Sequence, residues 1–477
     1  MSKILKSNNC TFLFYDYETF GISPALDKPA QFACIRTDLN FNIIEVPIEF
    51  FCYSSIDYLP NPQSVLITGI SPCHVKQYGL NEFEFACKVH EQFKIPNTCI
   101  IGYNNIYFDD EITRNIFYRN FIDPYEWSWK NGNSRWDILD VLRACYVLRP
   151  EGINWPVNVY NNYPSFKLSD ISQSNKINHD HAHNAISDVY ATLQVTQLLK
   201  EKQPKLFSYF FKHRKKAQLL KIIDICNIKP MIYISRFFGS SKKNFGLIAP
   251  LLWCSDNLNI LISFDLTKNV ESFLTYFSNV TAKTVKYSEM FDKGIILVHI
   301  NRCPILAPVD VVNSENMIYL GIDYVMCKEN LLLIRNSTFL KKKLEIINSD
   351  ISKSNFENVD LQMYDAFFDS SEKRLIRVIH QLLKRRVFDR NLFISSKRIR
   401  SLLIRCIARN YPCMLNEKEK CIWKKHCNAI INKESIYEYT KNILNLLELH
   451  KNNFKNVLLL KDLLKYAFSI EKKVYNI

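Results

Sequence analysis

Thr-Phe-Leu-Phe-Tyr-Asp-Tyr-Glu-Thr-Phe-Gly, residues 11–21, is the stretch on which the fold turns. Residues 11–15 are an apolar, aromatic run of strand formers, and two acids follow at alternate positions. Side chains two apart on a strand share a face, so Asp16 and Glu18 project together where the strand leaves the core. Two like charges held that close are costly unless a cation neutralises them. Taken alone, the D-x-E pair reads more simply as an exposed strand end with solvated acids.

Outward from this strand, 31–35 and 99–102 carry strand patterns, and 109–121 and 185–200 carry helical ones. The mixture predicts an α/β layer domain. Its last helix places Ile186, Val189 and Leu193 at i, i+3 and i+7, then meets the polar 200–204, a domain boundary. From Pro230 the runs 231–234, 247–253, 259–264 and 295–300 are short and β-rich, which predicts a small antiparallel barrel or sandwich followed by some helix. Beyond Asn355 the spacing at 375–383, 399–408, 443–449 and 457–468 is helical, which predicts an all-helical third domain.

At 477 residues and 47% apolar the chain can bury several cores. Its formal charge of +15 favours a polyanionic partner, nucleic acid or an acidic membrane surface. A general bias toward Lys, Asn, Ile and Phe would raise the charge of any protein, so charge alone does not decide. Fifteen scattered cysteines without a CxxC pair predict reduced thiols in the cytoplasm. Cys421, His426 and Cys427 match no common zinc spacing and lie in a helical stretch. No secretory signal opens the sequence and no run of eighteen apolar residues occurs, so a soluble intracellular protein is expected.

Two further segments carry acids. Asp109 lies where a strand gives way to a helix marked by Phe108, Ile112 and Ile116. An Asp there is most simply a cap, with Asp110 and Glu111 as first-turn acids complementing the helix dipole. His183 and Asp188 are five residues apart, about 140° around an ideal helix, so they do not stack on one face. A His just before the helix and an Asp in its second turn can still flank one cavity. His179 and His181 raise a His-x-His-x-His metal strand, but the stretch 178–184 is polar and loop-like, and both read as surface histidines.

In this order, D-x-E on a first strand, N-x-x-F-D (105–109) and H-x4-D on a late helix resemble the three motifs of the DEDDh exonuclease superfamily. Four carboxylates can hold two divalent ions about 3.5–4 Å apart and stabilise the attacking and leaving oxygens of an in-line displacement. Hard oxygen donors suit Mg²⁺ or Mn²⁺ rather than zinc. A neutral His near pH 7 can accept the proton of the attacking water.

Asp-Tyr-Glu-Thr-Phe-Gly (16–21), Pro-Ala-Gln-Phe-Ala (29–33), Leu-Ile-Thr-Gly-Ile (66–70), Gly-Tyr-Asn-Asn (102–105) and Thr-Arg-Asn-Ile-Phe-Tyr-Arg-Asn-Phe (113–121) are similar to bacterial exonuclease I. So are Arg-Pro-Glu-Gly-Ile-Asn-Trp-Pro (149–156), His-Ile-Asn-Arg-Cys-Pro (299–304), Asn-Val-Asp (358–360) with Phe367-Phe368, and Ala-Arg-Asn-Tyr-Pro (408–412). The resemblance spans nearly the whole chain and is densest in the first 200 residues.

The resemblance implies an α/β RNase H-like exonuclease domain at 1–203, an SH3-like β-barrel domain at 204–355 and an all-α C-terminal domain at 356–477. It implies a monomer that degrades single-stranded DNA from the 3′ end in repair and recombination, with two Mg²⁺ ions per site for which Mn²⁺ can substitute. Asp16, Glu18, Asp109 and Asp188 become the metal ligands and His183 the general base. Glu18, Arg114, Tyr125, Trp129, Arg143 and Lys167 become substrate contacts. At Lys167 the family typically has Arg, so charge is kept but a bidentate phosphate contact is not. Recruitment by the acidic C-terminal tail of single-stranded DNA-binding protein is also implied, without assigned residues.

Tyr125, Trp127, Trp129 and Trp136 interleave with Arg114, Arg119, Arg135 and Arg143, a pattern able to stack bases and neutralise phosphates. At least two of the four aromatics are expected in the core. Two other readings compete: an exoribonuclease of the same superfamily, and a nucleic-acid-binding protein without catalysis. The presence of all five motif residues counts against the second.

Overall fold

The computed structural model describes residues 10–160, 162–180, 182–279, 287–312, 314–348, 356–387 and 389–476. The chain forms two compact units, Met1–Asn133 with Asp180–Tyr190 and Ser354–Ile477, and Ser134–His179 with Ala191–Lys353.

In the first unit β1 (Thr11–Thr19) lies between β2 (Pro29–Thr37), antiparallel to it, and β4 (Thr98–Gly102), parallel to it, while β3 (Ile48–Phe51) extends the sheet beyond β2. The pleat sorts β1 by parity. Leu13, Tyr15 and Tyr17 join Phe32, Phe85, Phe93, Ile100, Ile112 and Phe117 in one buried cluster. Phe12 and Phe14 pack against Phe41, and Asp16 and Glu18 continue that alternate set toward the strand's end. β1 thus runs four residues further than its apolar stretch, carrying both acids on regular strand backbone.

The helices Glu82–Phe93 and Asp109–Arg119 receive the C-terminal helices of the same unit. Phe83, Tyr118 and Phe121 are buried with Ile376, Ile379 and Leu383 of the Ser370–Lys384 helix and Ile399, Leu402, Leu403 and Ile407 of the Lys397–Asn410 helix. The Ile443 face of Lys433–Leu449 and the Leu460 face of Phe454–Tyr475 cover Phe20, Tyr58 and Val65. Capping boxes at Asp369 and Asn432 start two of these helices.

Buried ion pairs run through this packing. Glu82 accepts from Arg119 Nε and Nη2 at 3.0 Å each and from Asn120 at 2.9 Å, with Lys28 Nζ at 3.8 Å. Burial pushes the Glu82 carboxyl up, but Arg119 and Lys28 outweigh it and bring it down to about 2. A depressed carboxylate adds stability that is fully present above its unfolded value near 4.5 and is lost as pH falls through 2. Acid titration of unfolding is therefore expected to show a loss on the order of 3 kcal/mol from this group between pH 5 and 2. Glu82→Gln should flatten that part of the profile; an unchanged slope would exclude Glu82 as its source.

His426 serves the same network: its Nε2 lies 3.2 Å from Asp57 Oδ2, Cys427 is buried and Cys421 is exposed. Among the described residues the three form no metal-binding group.

In the second unit β5 (Ser134–Asp137) precedes the Ile138–Leu148 helix. β6 (Met231–Ile234), β7 (Phe245–Trp253), β8 (Ile260–Asp265), β9 (Ile295–His299) and β10 (Ile305–Pro308) form an antiparallel sheet in the order β10-β6-β7-β8-β9. Met231, Tyr233, Ile248, Leu261, Ile296, Val298 and Leu306 are the buried side of this sheet. No helix among the described residues is long and apolar enough to cross a membrane.

Candidate active site

All five motif residues lie in the first unit. Asp16 pairs with Ala33 and Glu18 with Gln31 across the β1–β2 ladder. Asp109 is the first residue of its helix, but it does not cap it. Phe108 occupies the cap position without a side-chain bond, and Asp109 Oδ1 instead accepts the backbone N–H of Tyr17 at 3.3 Å. That bond places Asp109 beside the strand residue lying between the two β1 acids. Asp110 is a first-turn acid as expected, but an enclosed one. Fully buried, it accepts from Tyr15 Oη at 2.6 Å and from Asn105 Nδ2 at 3.2 Å.

His183 precedes the Ala185–Lys202 helix with φ of 65°, and Asp188 lies in the first turn, not the second. This left-handed residue turns the chain just before the helix, so helical spacing does not govern where the imidazole goes. Ligand atoms of Glu18, His183 and Asp188 lie within 4.8 Å of one another. His181 lies outside the described residues.

The acids repel one another where water is scarce. Burial first, then Asp109, Glu18 and Asp188, hold Asp16 well above the usual carboxylate range. Burial, then Asp188 and Asp109, push Glu18 up to about 8. Burial and Asp110 push Asp109 up to about 7, against the Tyr17 N–H that favours its charge. Carboxylates crowded in this way are satisfied by divalent cations, and the all-oxygen acid set fits hard ions of the magnesium type.

Among the expected substrate contacts, Trp129 is 63% exposed and Tyr125 half-buried. Arg114 is only 6% exposed, its Nη1 held by Glu111 at 2.5 Å and by Tyr364 Oη at 3.3 Å, with its guanidinium 5.9 Å from the Tyr125 ring. It stands behind Tyr125 rather than on open surface. Arg143, in the second unit, pairs with Asp140 at 2.6 Å, and Lys167 of that unit is exposed. Trp127 and Trp136 are core residues, and Arg119 and Arg135 are buried in bonds to Glu82 and to the Asn301 carbonyl. The sequence did not single out Tyr364, and marked Phe367 only within the family resemblance; Phe367 is 77% exposed, its ring 5.5 Å from Tyr125. No spacing rule links residues so far apart in the chain.

The sequence matches three families in chain order: Exonuclease over residues 13–196, Exonuclease I SH3-like domain over 214–349 and Exonuclease I C-terminal domain over 357–470. The exodeoxyribonuclease I of Buchnera aphidicola subsp. Baizongia pistaciae is 51% identical over 467 residues, 97% of each chain. The crystal structure of E. coli exonuclease I in complex with a dA16 oligonucleotide superimposes with a TM-score of 0.89 at 41% identity, covering 97% of this chain and 100% of that one. The solved ExoI/SSB-Ct complex gives a TM-score of 0.88 at 40% identity, covering 97% and 99%. Fold and acid cluster together define a nuclease of the exonuclease class with an SH3-like and a helical C-terminal domain. The chain belongs to the exonuclease I family.

Proposed function

We propose that this protein is a 3′→5′ exodeoxyribonuclease that degrades single-stranded DNA to 5′-mononucleotides. The observation that carries the reading is the convergence of Glu18, His183 and Asp188 within 4.8 Å, beside Asp16, which feels the charges of Asp109, Glu18 and Asp188, and Asp109, whose charge also raises Glu18. Asp16, Glu18, Asp109 and Asp188 would hold the divalent ions, Mg²⁺ with Mn²⁺ as a substitute, and Glu18 also faces the substrate. Two such ions would supply positive charge against the negative charge that develops during an in-line displacement at phosphorus. His183, exposed and outside the helix, takes the proton of the attacking water and returns it to solvent. The new P–O bond forms as the bond to the 3′ oxygen breaks, releasing a 5′-mononucleotide and leaving a shortened 3′ end.

Tyr125 and Trp129 stack the strand with Arg114 behind them, and Arg143 and Lys167 neutralise its phosphates. We place the domain boundaries near 203 and 355, between the matched ranges 13–196, 214–349 and 357–470. The acidic tail of single-stranded DNA-binding protein is a second partner. A cavity of about 370 Å³ in the second unit suits it, with Arg149 and Lys205 beside Leu148, Leu206, Tyr209 and Phe210. The setting is a cytoplasmic monomer acting in DNA repair and recombination.

Matched end-labelled DNA and RNA single strands, with and without EDTA, test the reading. Mononucleotides are expected from DNA only, only without chelator, and hardly at all from blunt duplex. Equal digestion of RNA would replace it with an exoribonuclease; binding without release in Mg²⁺ would replace it with a passive binder.

A further inference from the structure

Gln31 lies on β2 directly opposite Glu18 of β1. Directly paired residues on adjacent strands point to the same face of a sheet, so its carboxamide lies beside the acid cluster. It is 1% exposed, and both ends of the amide are engaged. Oε1 accepts the backbone N–H of Ala185 at 3.2 Å, and Nε2 donates to Glu49 Oε1 on β3. A carboxylate only accepts, so Glu49 fixes which end of the amide faces Ala185.

Ala185 opens the helix that carries Asp188, and its N–H is one of the donors a helix leaves without an internal partner. Ala185 is fully buried, so water cannot serve that donor. Asn184 Oδ1 accepts from Ser187 at 3.3 Å and leaves Ala185 to Gln31.

We propose that Gln31 is a positioning residue for the acid cluster, holding the start of the Ala185–Lys202 helix, and with it His183 and Asp188, against the strand that carries Asp16 and Glu18. The inference rests on the metal-ligand reading above. His183 lies two residues before the clamped amide and Asp188 three after it, so release of the amide moves both against Glu18. A misplacement of about 1 Å is enough to be felt in such a site. Glutamate at 31 would set another negative charge beside Glu18, and an apolar residue would leave a buried N–H without an acceptor.

The test is a calorimetric Mn²⁺ titration of the metal-free enzyme. Gln31→Met is expected to weaken Mn²⁺ binding about 10–100-fold, as loss of groups that orient metal ligands does. The kcat should fall with it, while KM and oligonucleotide affinity in EDTA stay at wild-type values. Mn²⁺ affinity within twofold of wild type would overturn the proposal, as would an equal loss of oligonucleotide binding in EDTA. Should Gln31→Met fail to fold, Glu49→Ala decides, because Glu49 is exposed and its removal only frees the amide to turn. Its Mn²⁺ affinity should drop; an unaffected Glu49→Ala overturns the proposal. A wild-type protein that binds no Mn²⁺ removes the metal-ligand reading itself, and this inference with it.

Discussion

Asp188→Ala is expected to lower mononucleotide release by about a thousandfold or more, the several kcal/mol of transition-state stabilisation that a correctly held divalent ion supplies. Asp188 contributes a carboxylate within 4.8 Å of Glu18 and His183, and its charge raises both Asp16 and Glu18. Its loss therefore has two effects of opposite sign. On the proposed reading the cations lose a ligand, and the ion-free cluster loses a repulsive neighbour. In EDTA the variant should bind an oligonucleotide as tightly as wild type or more so, because fewer negative charges face the phosphates. Asp188→Asn separates charge from shape and should behave like the alanine variant. Digestion at the wild-type rate by either would take Asp188 out of the site.

Arg409→Leu is expected to destabilise the protein by about 3–5 kcal/mol, the cost of breaking a buried ion pair from one side. Arg409 Nε and Nη2 donate to Asp57 Oδ2 at 3.0 and 2.8 Å, and Nη1 and Nη2 donate to the two oxygens of Asp360 at 3.1 and 2.6 Å. All three side chains are almost wholly enclosed. Burial raises Asp360, but Arg409, Lys28 and Arg405 hold it well below the usual range. With leucine at 409 both buried carboxylates lose the cation they share, Asp360 keeping Arg405 and Asp57 keeping His426, so the penalty exceeds that of an exposed pair. Urea denaturation measures it as a fall in midpoint at constant slope. Adding Asp57→Asn and Asp360→Asn to the leucine variant should recover part of the loss. A midpoint unmoved by Arg409→Leu alone would mean that the network contributes little.

The sequence made the acids legible because strand alternation is a local rule: Asp16 and Glu18 share a face whatever lies around them. It also marked the long helices of residues 375–468, whose apolar spacing is regular. Asp109 was legible as a helix start and misleading as a cap, because the acceptor role of its carboxylate is decided by the Tyr17 amide, 92 residues away. His183 and Asp188 looked mismatched on an ideal helix because the left-handed backbone at His183 leaves no trace in composition. β3 escaped notice because four partly exposed residues carry little pattern. The Tyr364 partner of Arg114, 250 positions away, is set by packing and left no signal in the sequence. The division into units was hidden for a related reason: residues 57 and 409 pair across 352 positions.

The first unit takes its residues from both ends of the chain and from a short middle insert, Asp180–Tyr190. Domains usually fold in order as they leave the ribosome. Here the apolar faces of Glu82–Phe93 and Asp109–Arg119 are covered by helices that lie from residue 370 onward. A nascent chain stalled before residue 397 carries all five acid and imidazole groups but only the first of these covering helices. Such a fragment is expected to leave Phe83, Tyr118 and Phe121 partly uncovered and to be cut by proteases faster than the whole chain.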